Sequence, residues 1–207
     1  MSLNQSGLRA AFARILALAC ISISALLTGC ASFYVDGNTK VVAASEFKKP
    51  NAPRPVQLVF EFQTRGAPNT RATDLVKPEV VQQVTSSGLF STMVDRPASD
   101  SGLLSITINN VPLTDDAFTK GFVTGLTFGL AGSKVSDGYV CTVKYLPPGA
   151  SEPIVKTARH AIHATIGAAA APGNATPAPD GKSAVMTMVD GVVSTALNDL
   201  SKDPQFQ

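Results

Sequence analysis

His160 and His163 are the only imidazoles in this 207-residue chain, and their HxxH spacing is the first arrangement able to hold a metal or move protons. On a helix, residues three apart share a face and both rings reach one ion; on a strand, alternation sends them to opposite faces. The run from Ile154 to Ile166 reads as a strand, so the pair is expected to be split. A catalytic zinc also needs a third ligand and a general base, and no flanking Glu makes the HExxH arrangement. Asp137 is the carboxylate that a reaction centre on these histidines would have to recruit. It and the pair Asp115-Asp116 read as solvated loop charges. Ser45-Glu46-Phe47-Lys48 places a serine and a lysine one helical turn apart, but among prolines rather than at the start of a core helix. Gly132-Ser133-Lys134 has the glycine and lysine of a phosphate loop out of register. Asn174-Ala175-Thr176 has the letters of a glycan acceptor, and the absence of Trp leaves little aromatic surface for sugar. No metal site is expected, and a metal-dependent enzyme on His160 and His163 is the least favoured reading.

Cys30 has the strongest chemical context. Arg9 and Arg14 make a basic start, Ile15 to Leu27 an apolar run, and Leu27-Thr28-Gly29 lead small residues into the cysteine. The run is too short for the roughly twenty residues of a spanning helix. This stretch resembles the lipobox of bacterial lipoprotein precursors, whose signal peptidase would read Leu27, Thr28 and Gly29. The resemblance implies cleavage before Cys30, a diacylglycerol thioether and an N-acyl chain on it, and no other cofactor. Three acyl chains exceed the two signals that stable anchoring takes. Ala31 in place of an aspartate favours the outer membrane, with the domain facing the periplasm.

Removing residues 1–29 takes away Arg9 and Arg14 and leaves equal numbers of basic and acidic residues. That balance excludes the basic footprint of a nucleic-acid partner. About 180 residues then remain, one domain's worth. With Cys20 removed and Cys30 acylated, Cys141 stands alone as an apolar core residue.

The elements that must position these groups follow from periodicity. Residues 30–55 read as an acylated N-terminus and tether, ending in the prolines Pro50, Pro53 and Pro55; Asp36-Gly37 offers a small hairpin turn between Phe33-Tyr34-Val35 and Lys40-Val41-Val42. Residues 56–207 read as a single periplasmic domain. Leu58, Phe60 and Phe62 alternate as a strand, and Val76, Val80, Val81 and Val84 recur as a helix with Pro78 in its first turn and Gly88 past its end. Leu89 to Val94 and Leu103 to Val111 read as two more strands, the latter with Leu104, Ile106 and Ile108 on one face. Tyr139 to Leu146 turns at Pro147-Pro148-Gly149 into the strand Ile154 to Ile166. Gly167 to Lys182 reads as a loop, and Ser183 as the N-cap of a last helix with an apolar stripe of Val185, Val189, Val192, Val193, Ala196, Leu197 and Leu200. The expected fold is α+β, a mostly antiparallel sheet with two helices packed on one face.

One uncharged stretch, Gly121–Gly132, is a Gly-rich apolar insertion. As a helix it would line Gly121, Gly125 and Gly129 on one face; as a strand it would set those glycines opposite Phe122, Leu126 and Phe128. It reads as a buried crossing segment, or as a surface for membrane contact or self-association. The element order is similar to that of accessory lipoproteins of Gram-negative bacteria, such as curli-secretion and penicillin-binding-protein-activating lipoproteins, and transfers no functional residue. The function expected is a non-enzymatic, outer-membrane-anchored binding or assembly accessory protein. Its partners are the membrane, through the lipid, and an envelope protein or a second copy, meeting the sheet edge or the glycine segment. The alternative is a subunit of an oligomeric membrane-contacting or secretion-related complex that uses Gly121–Gly132.

Overall fold

The structure is a computed structural model that describes residues 31–113, 134–166 and 173–206. Cys30, its flanking residues and Gly121–Gly132 lie outside the described residues. In chain order the elements are β1 (Ala31–Val35), a 3-10 turn (Ala44–Glu46), β2 (Val56–Thr64), β3 (Ala67–Pro68), α1 (Thr70–Ser86), β4 (Gly102–Pro112), β5 (Lys134–Leu146), β6 (Ile154–Ile166), β7 (Thr176–Ala178) and α2 (Gly181–Ser201). The fold is α+β. One seven-stranded sheet runs β3-β2-β4-β5-β6-β1-β7, antiparallel except for the β2–β4 pair that α1 connects. Both helices pack on it, α1 against β2 and α2 against β6, β5 and β1.

The period-2 pattern sets the buried face. Val56, Phe60 and Phe62 of β2, Leu104, Ile106 and Ile108 of β4, and Cys141 and Val143 of β5 are buried against Val76, Val80 and Val84 of α1 and Val189, Val192, Val193 and Leu197 of α2. Each such aliphatic side chain contributes about 1.5–3 kcal/mol on leaving water. The Pro147-Pro148-Gly149 turn joins β5 to β6, with Tyr145 opposite Ile154 and Gly149 at φ 77°.

Several expectations change. Helix α1 begins at Thr70, not near Val76, because Asn69 accepts the Ala72 amide at 3.0 Å and Thr73 Oγ1 binds the Phe62 amide at 2.9 Å; Pro78 is therefore interior. The polar first turn carries no apolar period, so its start was invisible to periodicity. Gly88 does follow the helix end, at φ 64°. Leu89 to Val94 is irregular: Leu89 and Phe90 are spent on packing, and only Met93 bridges to Val56. The last helix is capped by Asp180, whose carboxylate accepts the Ser183 amide at 2.7 Å, rather than by Ser183. Residues 31–55 pack on the domain instead of running free. β1 pairs with both β6 and β7, and Phe47 is buried. No hairpin forms with Lys40-Val41-Val42; the Val42 amide instead donates to Ser194 Oγ at 3.0 Å. The outermost strands β3 and β7 are short and contain Pro68 and Pro177; β3 covers only Gln63 and Thr64 of β2, and β1 covers only Ile162–Ile166 of β6.

Helix α2 approaches β6 closely at Gly191. A Cβ there would stand 2.9 Å from His160 Cδ2 and 3.1 Å from its Nε2. Gly191→Ala gains about 1 kcal/mol of helix propensity but overpacks a hydrogen-bonded ring at a cost of about 1–3 kcal/mol. The expected net effect is a lower Tm in thermal denaturation; a Tm at or above the parent's would show that the ring yields.

Candidate functional site

The two histidines are split as their strand spacing requires. His160 lies opposite Tyr139 on the helix-covered face, and His163 opposite Ser136 on the other. Both are buried. The Ala161 amide donates to His160 Nδ1 at 2.9 Å, which leaves the proton on Nε2, directed at the Thr39 carbonyl. Burial holds this imidazole below its ordinary pKa, against the opposing pull of the Asp36 carboxylate, so it is neutral at pH 7.

His163 Nδ1 is 2.7 Å from Ser136 Oγ, and its Nε2 is 3.8 Å from Asp36 Oδ2. Asp36 is the residue that sequence reasoning missed. It follows β1, its Oδ1 accepts the Asn38 amide at 2.8 Å, and its own amide donates to the Ala161 carbonyl. Burial raises its pKa, but the His163 imidazole and the Asn38 amide more than offset this and hold the carboxyl below the usual range. Asp137 pairs across the sheet with Ile162, on the face opposite His163, so the carboxylate proposed from sequence is not the one that reaches it. Serine, imidazole and carboxylate thus stand in relay order. Acyl transfer would further require an open substrate pocket and oxyanion donors beside the hydroxyl. None of the cavities described below is lined by this cluster, and among the described residues no three His, Cys, Asp or Glu side chains are placed to share a metal. The group joins β1 to β6 through buried polar contacts.

The remaining sequence candidates stay apart. Ser45 is exposed in the 3-10 turn, while the Lys48 amide donates to Ser201 Oγ at 3.1 Å. Asn174 supplies the carbonyl against which Gly37 packs, where an added Cβ would stand 2.1 Å from the oxygen. Cys141 is fully buried in the sheet, and burial pushes its thiol up to about 12.

A cavity of about 390 Å³ opens at the end of the sheet where β2 and β4 start and β5 stops. Arg54, Phe90, Tyr145, Pro147, Pro148 and Phe206 line it. Its wall is an aromatic triad: Tyr145 lies 5.3 Å from Phe206 and 5.5 Å from Phe90 between ring centroids, and Phe90 lies 5.8 Å from Phe206 in an edge-to-face contact. Gly102 makes room for it, since a Cβ there would be 2.5 Å from Tyr145 Cε2. Burial raises the Tyr145 phenol, with Arg54 opposing, so the hydroxyl stays protonated. Arg54 is exposed at the rim. The arrangement is a preformed groove of mixed polar and apolar lining, with an aromatic wall and one cation at its mouth. Phenylalanine and tyrosine signal it in sequence only after the fold brings residues 54, 90, 145 and 206 together.

A second cleft, of about 230 Å³, lies between α1, α2 and residues 41–47 and holds the carboxylates Glu79 and Asp190. Gln83 Nε2 donates to Asp190 Oδ1 at 2.9 Å. Burial, then the Glu79 carboxylate, pushes Asp190 up to about 6.

No protein-family model and no curated protein matches the chain. Among solved structures, a minor lipoprotein from Acinetobacter baumannii is similar at 9% identity and TM-score 0.35, over 72% of this chain and 90% of its own. A PelC dodecamer from Paraburkholderia phytofirmans is similar at 10% identity and TM-score 0.34, over 84% and 99%. A neuraminyllactose-binding hemagglutinin homolog from Helicobacter pylori is similar at 10% and 0.35, over 77% and 91%.

The Glu79–Asp190 pair makes stability depend on pH. The folded pKa of Asp190 lies above its unfolded value, so the folded state holds the proton more tightly and loses stability as pH rises from about 4 through about 6. Asp190→Asn carries no charge there. It is expected to melt above the parent at pH 7.5 and to lose that advantage toward pH 4.5; an unchanging Tm difference across that range would mean that Asp190 is not the titrating group.

Proposed function

We propose that this chain is a lipid-anchored envelope protein, acylated at Cys30 and held on the periplasmic side of the outer membrane, that works by binding a partner rather than by catalysis. The observation that carries the reading is the preformed aromatic groove with Arg54 at its mouth. Three rings and two adjacent prolines suit an extended peptide segment bearing aromatic or proline side chains, and Arg54 suits a carboxylate on it. Among the described residues no helix is long and apolar enough to cross a membrane, so the reading assigns membrane attachment to the acyl chains.

The test is photo-crosslinking in cells of the parent bacterium, with a benzophenone amino acid at position 51, beside Arg54, and at Thr157 on the open sheet face as control. A discrete adduct from position 51 that is absent from position 157, and lost when Arg54→Glu is added, is the expected result. Equal labelling at both positions, or an adduct indifferent to Arg54→Glu, would overturn the groove as the contact surface.

A second reading, an oligomeric membrane-contacting complex using Gly121–Gly132, draws on one observation. The described residues that flank it, Leu113 and Lys134, lie at the end of the sheet where Ala31 pairs with Ile166: the Leu113 amide donates to the Ser136 carbonyl and Lys134 pairs with Thr165. It predicts a detergent-stable oligomer in size-exclusion light scattering that Gly125→Leu dissolves; a monomeric parent protein in mild detergent removes it.

A further inference from the structure

Tyr145 is the one member of the aromatic triad that carries a hydrogen-bonding group, and that group has nothing to bond. The residue is only 4% exposed. Among the described residues no donor or acceptor meets its Oη, which opens on the cavity that the ring lines. Polar groups withdrawn from water without a partner are few in folded proteins, and one that persists calls for a use. The backbone leaves the hydroxyl its place: a Cβ on Gly102 would stand 2.8 Å from Tyr145 Oη.

The rest of the lining narrows what the hydroxyl can meet. Arg54 is the one charged residue there, and it opposes the upward shift that burial gives the Tyr145 phenol, so the two groups lie within electrostatic reach. Pro50, Pro147 and Pro148 have no amide to donate. The amide of Leu89 is committed to Ser87 Oγ, and those of Gln205 and Phe206 to Asp203. What remains is a protonated phenol and a guanidinium fork beside a wall of rings. A carboxylate carries one negative charge on two oxygens of one plane and matches that pair of donors, whereas a phosphate would bring a second charge with no cation to meet it.

We propose that the cavity is a carboxylate site in which Tyr145 Oη donates to one oxygen, Arg54 pairs with the other, and the ligand's apolar group lies against Phe90 and Phe206. This rests on the groove reading above and deepens it, because Tyr145 becomes the residue that selects an acid over the matching amide. A carboxamide of the same shape turns an N–H toward one of the two donors and leaves that contact repulsive. The carboxylate can come from a chain end or from an Asp or Glu side chain, which present the same chemistry to the two donors.

The experiment titrates the full detergent-solubilised protein with N-acetyl-phenylalanine, with its carboxamide, and with N-acetyl-aspartyl-phenylalaninamide, reading the backbone amide NMR shifts of Phe90 and Tyr145. At least one of the two acids is expected to bind about tenfold more tightly than the carboxamide, the first marking a chain end as the source and the second a side chain. Tyr145→Phe keeps the ring and removes the hydroxyl alone. It is expected to weaken the acid about tenfold, to change the carboxamide little, and to leave Tm at or above the parent's, since the hydroxyl has no partner to lose. Equal affinity for acid and carboxamide, no shift with any of the three, or an acid preference that survives Tyr145→Phe overturns the proposal. So does a Tm of Tyr145→Phe well below the parent's, which would give the hydroxyl a structural role. The two readings fail separately. An Arg54-dependent adduct from position 51 beside acid binding indifferent to Tyr145→Phe keeps the groove and removes the carboxylate site, whereas Tyr145-dependent acid binding without an adduct keeps the site and removes the protein partner.

Discussion

The distance between helix α2 and strand β6 is set by a missing side chain. Gly191 lets the helix backbone descend onto the His160 ring, and the rest of the N-terminal half is arranged around that contact. Once α2 lies this low, its serines reach across to the segment from 38 to 49: Ser194 Oγ takes the Val42 amide and Ser201 Oγ takes the Lys48 amide. Thr195 Oγ1 reaches the Lys40 carbonyl at 3.4 Å. Lys49 then carries the segment to α1, donating to the Ala44 carbonyl and to the Ser87 carbonyl at the helix end, where a cation also complements the dipole. A helix one methyl group higher would leave these donors without acceptors, each at a cost of about 1–3 kcal/mol if buried.

That packing gives the molecule two unlike ends. One is the end where β1 and β5 start and β6 stops, with Ala31 opposite Ile166 and the His163 cluster buried behind it. The other gathers β-strand starts, the Pro147-Pro148 turn and the C-terminal residues around an aromatic groove. The Lys156–Asp203 ion pair, at 2.7 Å, fixes the C-terminal turn that delivers Phe206 to the groove wall. Surface pairs of this kind contribute under about 1 kcal/mol, so its consequence is placement rather than stability.

What was legible in the sequence was whatever repeats. Leu104, Ile106 and Ile108 announced a strand by alternation, Val185 to Leu200 announced a helix by its stripe, and Pro147-Pro148-Gly149 announced the hairpin between its strands. What was not legible depended on single side chains meeting across the fold. The start of α1 is set by Asn69 and Thr73, which reads as loop composition. Asp180 and Ser183 both qualify as caps by type, and only the backbone decides between them. Residues 31–35 looked like the beginning of a tether because five residues are too few to show a period, yet β6 is long enough to need a partner along its far end. The groove was invisible for a plainer reason: its rings come from positions 90, 145 and 206, and no local pattern links them.

The buried polar group at β1 and β6 shows why residue type alone misleads about chemistry. Two histidines three apart suggested a shared metal, and a strand sends them to opposite faces; a half-buried serine, a buried histidine and a buried aspartate in relay order suggest a nucleophile, and the same contacts join β5, β6 and the end of β1. Asp36 satisfies the Asn38 amide and holds its charge beside His163, so the chain can turn sharply at Gly37 under the Asn174 carbonyl. Buried polar groups of this kind contribute little net stability but penalise any other pairing of the strand, since a shift of one residue would strand the carboxylate among apolar side chains. For β1, register is the property that matters, because a slip of one residue would carry Asp36 away from His163 and Phe33 away from the start of α2.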